Sequence, residues 1–384
     1  MPQHRFASIH VVGTNGKTSV ALMTAALLEA HGVRTGAYVS PHIVSWRERI
    51  WIGGEQISEE AFAAAVERCA EAAETANRAA GEEGPVTQFE LDTAAAFVAF
   101  AAARVQVAVI EAGLGGRLDA TNVIPSRATV LTSVGLDHTE WLGDTVEEIA
   151  AEKLAVLRDH TTLICGPVPE QVEPVVERFV NERHATRLSP VGTHARGPRG
   201  YQHANSTLAL AAAAEILGPE HIDPHVAERA LATFVLPGRA QFVEGDPDVI
   251  YDAAHNPDGA RALAESLPEL TADHPVVACV AVLAEKDAAG ICEALAPFCE
   301  LAICTEFPDD AVRGSGRPVG QAIPAPDLAE LWRAAGGEAE AVADPHTAWA
   351  RVRELALERG GVALAAGSHY LLRTLWIERQ DQSS

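Results

Sequence analysis

The feature that most constrains this chain is a short motif near its start, where an apolar run passes through a glycine-containing loop into a lysine. It reads S-I-H-V-V-G-T-N-G-K-T-S over residues 8–19. The apolar run predicts a buried strand, and the segment from Val20 to Ala30 predicts a helix. A strand, a glycine loop, a lysine and two hydroxyl residues before a helix are typical of a phosphate-binding loop. The motif therefore predicts an α/β domain that binds a nucleotide.

The chemistry of this loop suggests a role for each of its residues. We expect the backbone N–H groups of Asn15, Gly16 and Lys17 to face phosphate oxygens, because glycine permits close approach and a helix N-terminus is partly positive. Lys17 would reach the β- and γ-phosphates, and Thr18 or Ser19 could contact a magnesium ion. The spacing G-x-x-G-K-T is shorter than the standard G-x-x-x-x-G-K-[ST]. The alternative is an ordinary glycine turn followed by a surface lysine.

Composition and charge bound the class of protein. The 384 residues predict two or three domains, and an apolar fraction of 48% supports a sizeable core. Acidic residues outnumber basic ones by 53 to 29, and this net charge of −24 disfavours a nucleic-acid partner. The six cysteines show no C-x-x-C spacing, which predicts reduced thiols. Since no signal peptide or spanning segment is recognisable, we expect a cytoplasmic protein without a membrane partner.

Polar residues stand at the ends of several predicted strands, where the ligands of open α/β sheets collect. Ser40, Glu111 and His138 each occupy such a position. Glu111 would suit a metal or a catalytic role, or could simply cap a turn. A single histidine such as His138 is more often structural. His138 nevertheless stands at a strand end, as Ser40 and Glu111 do, and this favours a role as a metal ligand. On the helix that Thr145 caps, composition alone makes Lys153 a solvated surface lysine.

The second part of the chain repeats the alternation of strands and helices. The sequence L-P-G-R at residues 236–239 marks the predicted domain boundary. Beyond it, strands are predicted at residues 249–251, 275–282, 301–304, 341–342 and 362–366. The predicted fold class is α/β, with an N-terminal P-loop-type ATPase domain (1–236) and a C-terminal Rossmann-like doubly wound domain (237–384). A mobile loop is expected at residues 314–318.

Eight collinear motifs resemble the folylpolyglutamate synthase/dihydrofolate synthase family, within the Mur ligase superfamily. They are residues 13–19, S-P-H at 40–42 with E-R-I at 48–50, 111–122, 135–145, E-K at 152–153, P-G-R at 237–239, 252–257, and L-A-E-K-D at 283–287. The resemblance implies an ATP-dependent carboxylate–amine ligase that forms ADP and phosphate. ATP would convert a carboxylate into an acyl phosphate, which the amine of an amino acid, glutamate in this family, then attacks.

The same resemblance implies which residues do this work. Lys17, Lys153 and His138 would be catalytic, and Ser40, Glu111, His138 and Lys153 would hold two magnesium ions, one of them through a carbamylated Lys153. The ATP-binding set would be Thr14, Asn15, Gly16, Lys17, Thr18, Ser19, Arg239, Asp252 and Asn256. The acceptor carboxylate would lie near Thr87, Gln88, Phe89, Leu118, Asp119 and Ala120. We expect a monomer that acts on two small molecules, the acceptor and the amino acid.

Two departures from the family pattern leave alternatives open. Thr18 replaces a common glycine, as in the peptidoglycan-building Mur ligases, which does not affect ATP use. Family members usually carry a helical segment before the first strand that contributes to pterin binding, whereas this chain begins almost at the strand. The acceptor is therefore either a folate or dihydropteroate, or another acid of a specialised pathway. The rivals are a Mur-type ligase acting on a cell-wall nucleotide and a non-catalytic nucleotide-binding partner subunit.

Overall fold

The computed structural model describes residues 1–79, 84–190, 197–313 and 320–381. The predicted mobile loop at residues 314–318 lies outside the described residues. The chain divides into two compact units. The N-terminal unit contains Met1–Pro198 and His203–Phe234, and the C-terminal unit contains Arg199–Gln202 and Val235–Ser384. No helix among the described residues is long and apolar enough to cross a membrane.

The N-terminal unit is built on a sheet whose spatial order is β4-β3-β2-β5-β1-β6-β7-β8. Its strands are β1 (Ala7–Val12), β2 (Thr35–Tyr38), β3 (Ile50–Ile52), β4 (Glu55–Gln56), β5 (Val107–Glu111), β6 (Ala128–Leu131), β7 (Thr162–Cys165) and β8 (Thr186–Leu188). In this spatial order, the six strands from β2 through β5, β1, β6 and β7 to β8 pair in parallel. The hairpin β3–β4 adds an antiparallel edge beside β2. The central strands are continuous apolar runs because helices cover both faces of the sheet.

The described part of this unit has eight α-helices, several of which begin at a capping side chain. They are α1 (Lys17–Ala30), α2 (Glu59–Ala79), α3 (Gln88–Ala102), α4 (Thr139–Leu142), α5 (Val146–Leu154), α6 (Glu173–Glu182), α7 (Gln202–Leu217) and α8 (Pro224–Ala232). The predicted cap of α5 is confirmed, since the Glu148 amide donates to the Thr145 hydroxyl at 3.2 Å. Ser58 likewise accepts from the Ala61 amide at 3.2 Å, at the start of α2.

Two apolar clusters hold the helices on the sheet. One face packs Phe97 and Phe100 of α3 against Tyr38 and Ile110. A second cluster joins Val12 and Leu131 to Ile149 and Leu154 of α5. This packing fixes the strands relative to α3 and α5, and so places the loops at the carboxyl ends of β1, β5 and β6 together at one edge.

The C-terminal unit has a second sheet of spatial order β13-β12-β11-β14-β10-β9. Its strands are β9 (Gln241–Val243), β10 (Val249–Tyr251), β11 (Val276–Val280), β12 (Leu301–Cys304), β13 (Ala339–Ala341) and β14 (Val362–Ala366). Its helices are α9 (Pro257–Thr271), α10 (Ala288–Leu295), α11 (Asp309–Arg313), α12 (Ala325–Ala334), α13 (Pro345–Glu358) and α14 (His369–Asp381).

The five strands predicted for this region are all present, and all five pair in parallel, in the order β13-β12-β11-β14-β10. The prediction omitted β9, an antiparallel edge strand whose three residues are only half-buried and show no apolar run. The strand predicted at residues 341–342 lies slightly earlier, at Ala339–Ala341. The predicted α/β class is confirmed, with a parallel core in each sheet.

Candidate active site

The glycine loop lies where the sequence predicts it, between β1 and α1. Gly16 has a φ of 85° and immediately precedes α1, of which Lys17 is the first residue. A Cβ on Gly16 would lie 2.5 Å from Oδ1 of Asn205, and one on Gly13 would overlap Oγ1 of Thr132. Both positions therefore require glycine, because the loop is packed closely against its neighbours. Asn205 of α7, which the sequence did not single out, stands directly beside the phosphate loop.

Hydroxyl groups at the end of β6 hold this loop in place. The Asn15 amide donates to Oγ of Ser133 at 3.0 Å, and Oγ1 of Thr132 donates to the Asn15 carbonyl at 2.6 Å. The Gly135 amide donates to Oγ1 of Thr14 at 3.0 Å. Thr132 and Ser133 were not predicted as site residues, although two hydroxyls at a strand end are a recognisable signal. The result is a preorganised loop that is tied to the segment carrying His138.

Two predicted site residues contact a third, Glu111, which is the last residue of β5. The Thr18 hydroxyl donates to this carboxylate at 2.9 Å, and the Ser40 amide donates to it at 3.0 Å. Glu111 is only 2% exposed. Ser19 instead points into the core, where its hydroxyl has no hydrogen-bond partner among the described residues. Of the two hydroxyl residues that follow Lys17, Thr18 is therefore the one at the site.

The donor set around Glu111 suits a hard divalent cation that also takes ligands from a nucleotide. Within the described parts of the chain, no three His, Cys, Asp or Glu side chains are grouped to hold a metal ion. Magnesium typically uses one or two carboxylates and completes its shell with phosphate oxygens and water. One buried carboxylate with hydroxyl neighbours beside a phosphate loop fits that pattern.

Lys153 lies on α5 and is only 4% exposed, so the inference of a surface lysine from composition is wrong. Burial lowers the pKa of its amine to about 7, helped by the positive charge of Lys17 and opposed by Asp137 and Asp119. Lys153 therefore lies within electrostatic reach of the phosphate-loop lysine and of two carboxylates. Asp137 belonged to a family motif but had no predicted role, and it now joins the site.

His138 follows β6 on the loop that leads into α4. Its backbone is left-handed, with a φ of 52°, and its amide donates to Oδ1 of Asp137 at 3.0 Å. The same carboxylate oxygen lies 3.9 Å from the His138 Nε2 atom. A non-glycine residue with positive φ is uncommon and is often found at functional positions. Asp137 and His138 thus form a pair beside the phosphate loop.

The predicted acceptor residues come together in part. The Phe89 ring lies against the loop that follows β5, since a Cβ on Gly113 would come within 2.5 Å of Phe89 Cζ. Thr87 caps α3 by accepting from the Glu90 amide at 3.2 Å, and Gln88 is the first residue of that helix.

The remaining predicted acceptor residues lie on the loop after β5. Leu118 is 90% exposed, and Asp119 caps the short 3₁₀ helix Ala120–Val123. The exposed Leu118 side chain leaves an apolar surface available beside this loop. Trp141, which had no predicted role, is also 74% exposed.

The predicted nucleotide residues of the C-terminal unit cluster at the end of β10. Asp252 is buried, and its carboxylate accepts from the Tyr201 hydroxyl and the Ala240 amide, both at 2.6 Å. Arg239 lies with its Nη2 atom 3.4 Å from Nε2 of His369. Asp252 thereby fixes the backbone of Ala240, next to Arg239, and is itself held by Tyr201, which carried no signal in the sequence.

Asn256 has a structural contact in the same unit. Its side-chain oxygen accepts from the Gly259 amide at 2.8 Å and caps α9. The amide group of Asn256 is therefore held at the N-terminus of a helix, which is a favourable place for an anion.

Comparisons with known protein families agree with these features. The Mur ligase middle domain matches residues 11–166, and the Mur ligase glutamate ligase domain matches residues 238–369. A dihydrofolate synthase/folylpolyglutamate synthase of Mycobacterium tuberculosis is 35% identical over 345 residues, covering 79% of this chain and 71% of that protein. The Bacillus subtilis protein of the same name is 32% identical over 325 residues, covering 74% and 73%.

Solved structures show the same relationship over almost the whole chain. Mycobacterium tuberculosis folylpolyglutamate synthase complexed with ADP and AMPPCP has a TM-score of 0.87 at 29% identity, covering 98% of this chain and 91% of that one. Escherichia coli FolC in complex with DHPP and ADP has a TM-score of 0.83 at 26% identity, covering 100% and 92%.

A third structure shows which ligands such a protein can hold. It is a bifunctional folylpolyglutamate synthase/dihydrofolate synthase with Mn, AMPPNP and L-glutamate bound, and it has a TM-score of 0.80 at 29% identity, covering 97% of this chain and 89% of that one. The motifs, the two sheets and the likeness to these proteins lead to one assignment. This chain belongs to the folylpolyglutamate synthase/dihydrofolate synthase family of Mur ligases and is an ATP-dependent amide-bond ligase.

Proposed function

We propose that this chain joins glutamate to the carboxylate of a folate-type acceptor, using ATP and a divalent metal ion. The observation that carries the proposal is the buried Glu111 carboxylate, held by Thr18 and Ser40 at the mouth of the phosphate loop. Relatives with the same fold bind the ligands this reaction needs: DHPP and ADP in one, and Mn, AMPPNP and L-glutamate in another.

The reaction requires two steps, because a carboxylate is a poor electrophile. An oxygen of the acceptor carboxylate attacks the γ-phosphorus of ATP, and ADP leaves. The glutamate nitrogen then attacks the acyl carbon, phosphate departs, and the nitrogen loses its proton. Lys17 and the loop amides would hold the transferred phosphoryl group, and a bound divalent ion would supply charge neutralisation. The protein's share is mainly positioning by a loop that Thr132 and Ser133 already fix.

We propose that Lys153 acts as a carbamate formed from its neutral amine and CO₂, with release of one proton. The Lys153 side chain is buried next to Lys17, which disfavours its charged form. Carbamylation would replace this cation by a carboxylate of the kind that magnesium prefers. Two ions would then be held, one near Glu111, Ser40 and His138 and one through the modified Lys153.

The two units would have different roles. We propose that residues 1–236 hold the ATP phosphates and the acceptor, and that residues 237–384 hold glutamate and contribute Arg239, Asp252 and Asn256 to the nucleotide. The match of the C-terminal residues to a glutamate ligase domain supports this division. Since the reaction needs only small molecules, we also propose that the chain acts as a monomer, which light scattering of the purified protein would test.

The ligase proposal is tested by the substrate dependence of ADP release. Purified protein would be assayed with ATP, magnesium and glutamate against dihydropteroate, reduced folates and a panel of unrelated acids. We expect ADP only when acceptor and glutamate are both present, with a product one glutamyl unit heavier. Turnover with another acid and none with any folate would contradict the acceptor assignment. ADP release with ATP alone would favour the rival of a nucleotide-binding partner.

The Lys153 proposal is tested by mass and by substitution. Peptide mass measured in CO₂-rich buffer should show carbamylation at Lys153, with the half-buried Lys286 as the unmodified internal control. Lys153→Ala should lower kcat by about 100-fold or more while binding of a non-hydrolysable ATP analogue persists. An unmodified amine at Lys153 together with a variant of normal rate would contradict the proposal.

A further inference from the structure

We propose that His10 is a positioning residue that acts through Thr121 to fix Asp119 and the acceptor loop, which we define as Gly113–Ala120. The inference rests on the proposed function, because the acceptor of that reaction is the molecule that the family resemblance places near Asp119. His10 lies in the middle of β1, within the motif that opens the chain, and neither the nucleotide chemistry nor the metal chemistry uses it.

The geometry is a chain of hydrogen bonds that runs from the buried sheet to the half-buried loop. His10 is completely buried, and its Nε2 atom lies 2.8 Å from Oγ1 of Thr121. This Oγ1 atom lies 2.5 Å from Oδ1 of Asp119. The Asp119 carboxylate also accepts from the Thr121 amide at 2.9 Å and, through Oδ2, from the Leu114 amide at 2.9 Å. Asp119 thus ties both ends of the acceptor loop together.

The positions of the protons follow from these contacts. An ionised carboxylate only accepts hydrogen bonds, so the Thr121 hydroxyl must donate to Asp119. Its oxygen can then only accept from His10, which requires the proton of His10 to be on Nε2. The other ring nitrogen, Nδ1, is buried and has no hydrogen-bond partner among the described residues. A second proton there would leave both a charge and a donor buried without compensation.

The electrical environment keeps this imidazole neutral. Burial and the positive charge of Arg158 lower the pKa of His10 to about 3. Each donor in this series of hydrogen bonds therefore points towards Asp119. The negative charge of Asp119 in turn raises the pKa of Lys153. His10 does not touch the substrate, but it orients the carboxylate that ties the acceptor loop together and whose charge acts on the buried lysine.

The kinetic test uses matched substitutions of buried threonines. Thr121→Val removes the hydroxyl that joins His10 to Asp119, Thr121→Ser keeps it, and Thr129→Val removes a hydroxyl from β6 opposite His10. The Thr129 hydroxyl is buried and has no hydrogen-bond partner among the described residues, so it is the control. We expect Thr121→Val to raise KM for the acceptor about tenfold, with KM for ATP within about twofold of the parent.

Thr121→Ser and Thr129→Val should both retain the parent values. An unchanged acceptor KM in Thr121→Val would overturn the inference. So would an equal rise in KM for ATP, or the same loss in Thr129→Val, because either outcome would indicate a general structural defect.

A spectroscopic test separates this inference from the proposed function. In ¹⁵N NMR of the full chain, a His10→Gln sample would identify the His10 signal among those of the 15 histidines. We expect the His10 ring to be in the neutral Nε2–H form and not to titrate between about pH 5 and pH 8. Thr121→Val should also speed hydrogen exchange at the Leu114 amide. An Nδ1–H form, a titrating ring or unchanged exchange would overturn the inference. Failure of the parent protein to turn over any acceptor would instead count against the proposed function.

Discussion

At the scale of single residues, the site is organised by buried or half-buried carboxylates that hold neighbouring groups. Glu111 accepts from one backbone amide and one hydroxyl, whereas Asp119 and Asp252 each accept from two backbone amides and one hydroxyl. Burying a carboxylate is costly unless its oxygens are satisfied, so these contacts are required for the fold to tolerate the charges. The same contacts preorganise the loops, because each amide that donates to a carboxylate is fixed in position.

Thr18 provides a first test at this scale. Thr18→Val removes the hydroxyl that donates to Glu111 at 2.9 Å, which leaves the buried carboxylate with one partner fewer. We expect the magnesium concentration for half-maximal ADP formation to rise about tenfold, because the carboxylate that we propose as a metal ligand is less well oriented. Metal titrations under saturating ATP would measure it.

The neighbouring Ser19 supplies the control. Its buried hydroxyl has no partner among the described residues, so Ser19→Ala should leave the magnesium dependence unchanged. Equal magnesium curves for the parent and Thr18→Val would contradict the role of this hydroxyl.

His10 gives a pH dependence of stability. Its pKa is about 3 in the folded protein against 6.5 for an ordinary histidine, so below pH 6.5 the unfolded chain binds a proton that the native state does not. Stability is therefore lost as the pH falls, at about 1.4 kcal/mol per pH unit. Between pH 7.5 and pH 5, the free energy of unfolding measured in urea should fall by about 2 kcal/mol more for the parent than for His10→Gln. Parallel stability curves for the two proteins would show that the pKa of His10 is the same in the folded and unfolded chain, which would contradict this prediction.

At the scale of elements, local sequence signals account for where helices begin. Capping residues mark the starts of α2, α3, α5 and α9, and three of these follow from simple patterns of hydroxyl and acidic residues. The strand β9 shows the limit of such signals. It exists because β10 offers an open edge for pairing, which is a property of the sheet and not of its own sequence.

The cap of α5 can be tested because this helix carries Lys153. Thr145→Ala removes the hydroxyl that accepts from the Glu148 amide, and we expect it to lower the free energy of unfolding by about 1 kcal/mol. The kcat should change little at temperatures well below the transition, since Lys153 lies two turns further on. Thr145→Ser should retain both values. A serine variant as unstable as the alanine variant would point to packing of the threonine methyl group instead.

At the scale of the whole molecule, the chain has separate apolar cores in its two units. The cluster around Leu364 and Trp332 belongs to the C-terminal unit, and the cluster around Leu163 and Ile149 belongs to the N-terminal unit. The segment Arg199–Gln202 groups with the C-terminal unit although the chain on either side of it belongs to the other. Each unit therefore has the means to be stable by itself.

This organisation predicts a regional response to core mutations. Leu364→Ala should destabilise the C-terminal unit by about 2–5 kcal/mol, because it opens a cavity among fully buried side chains. Hydrogen exchange measured by mass spectrometry should accelerate in β10, β11 and β14. The matched Leu163→Ala should instead accelerate exchange in β1, β6 and β7. Uniform acceleration over both units by either variant would show that they unfold as one.

The sequence by itself determined the α/β class, the phosphate loop, most strands and the candidate residues, because these depend on local periodicity and on motifs with fixed spacing. Tertiary structure decided what long-range contacts alone can set. It buried Lys153, which composition presents as a surface residue, and it selected Thr18 over Ser19 at Glu111. It also brought Tyr201 to Asp252 and His10 to Thr121. Burial and hydrogen-bond partners depend on which segments meet in space, and no local pattern in the chain records that.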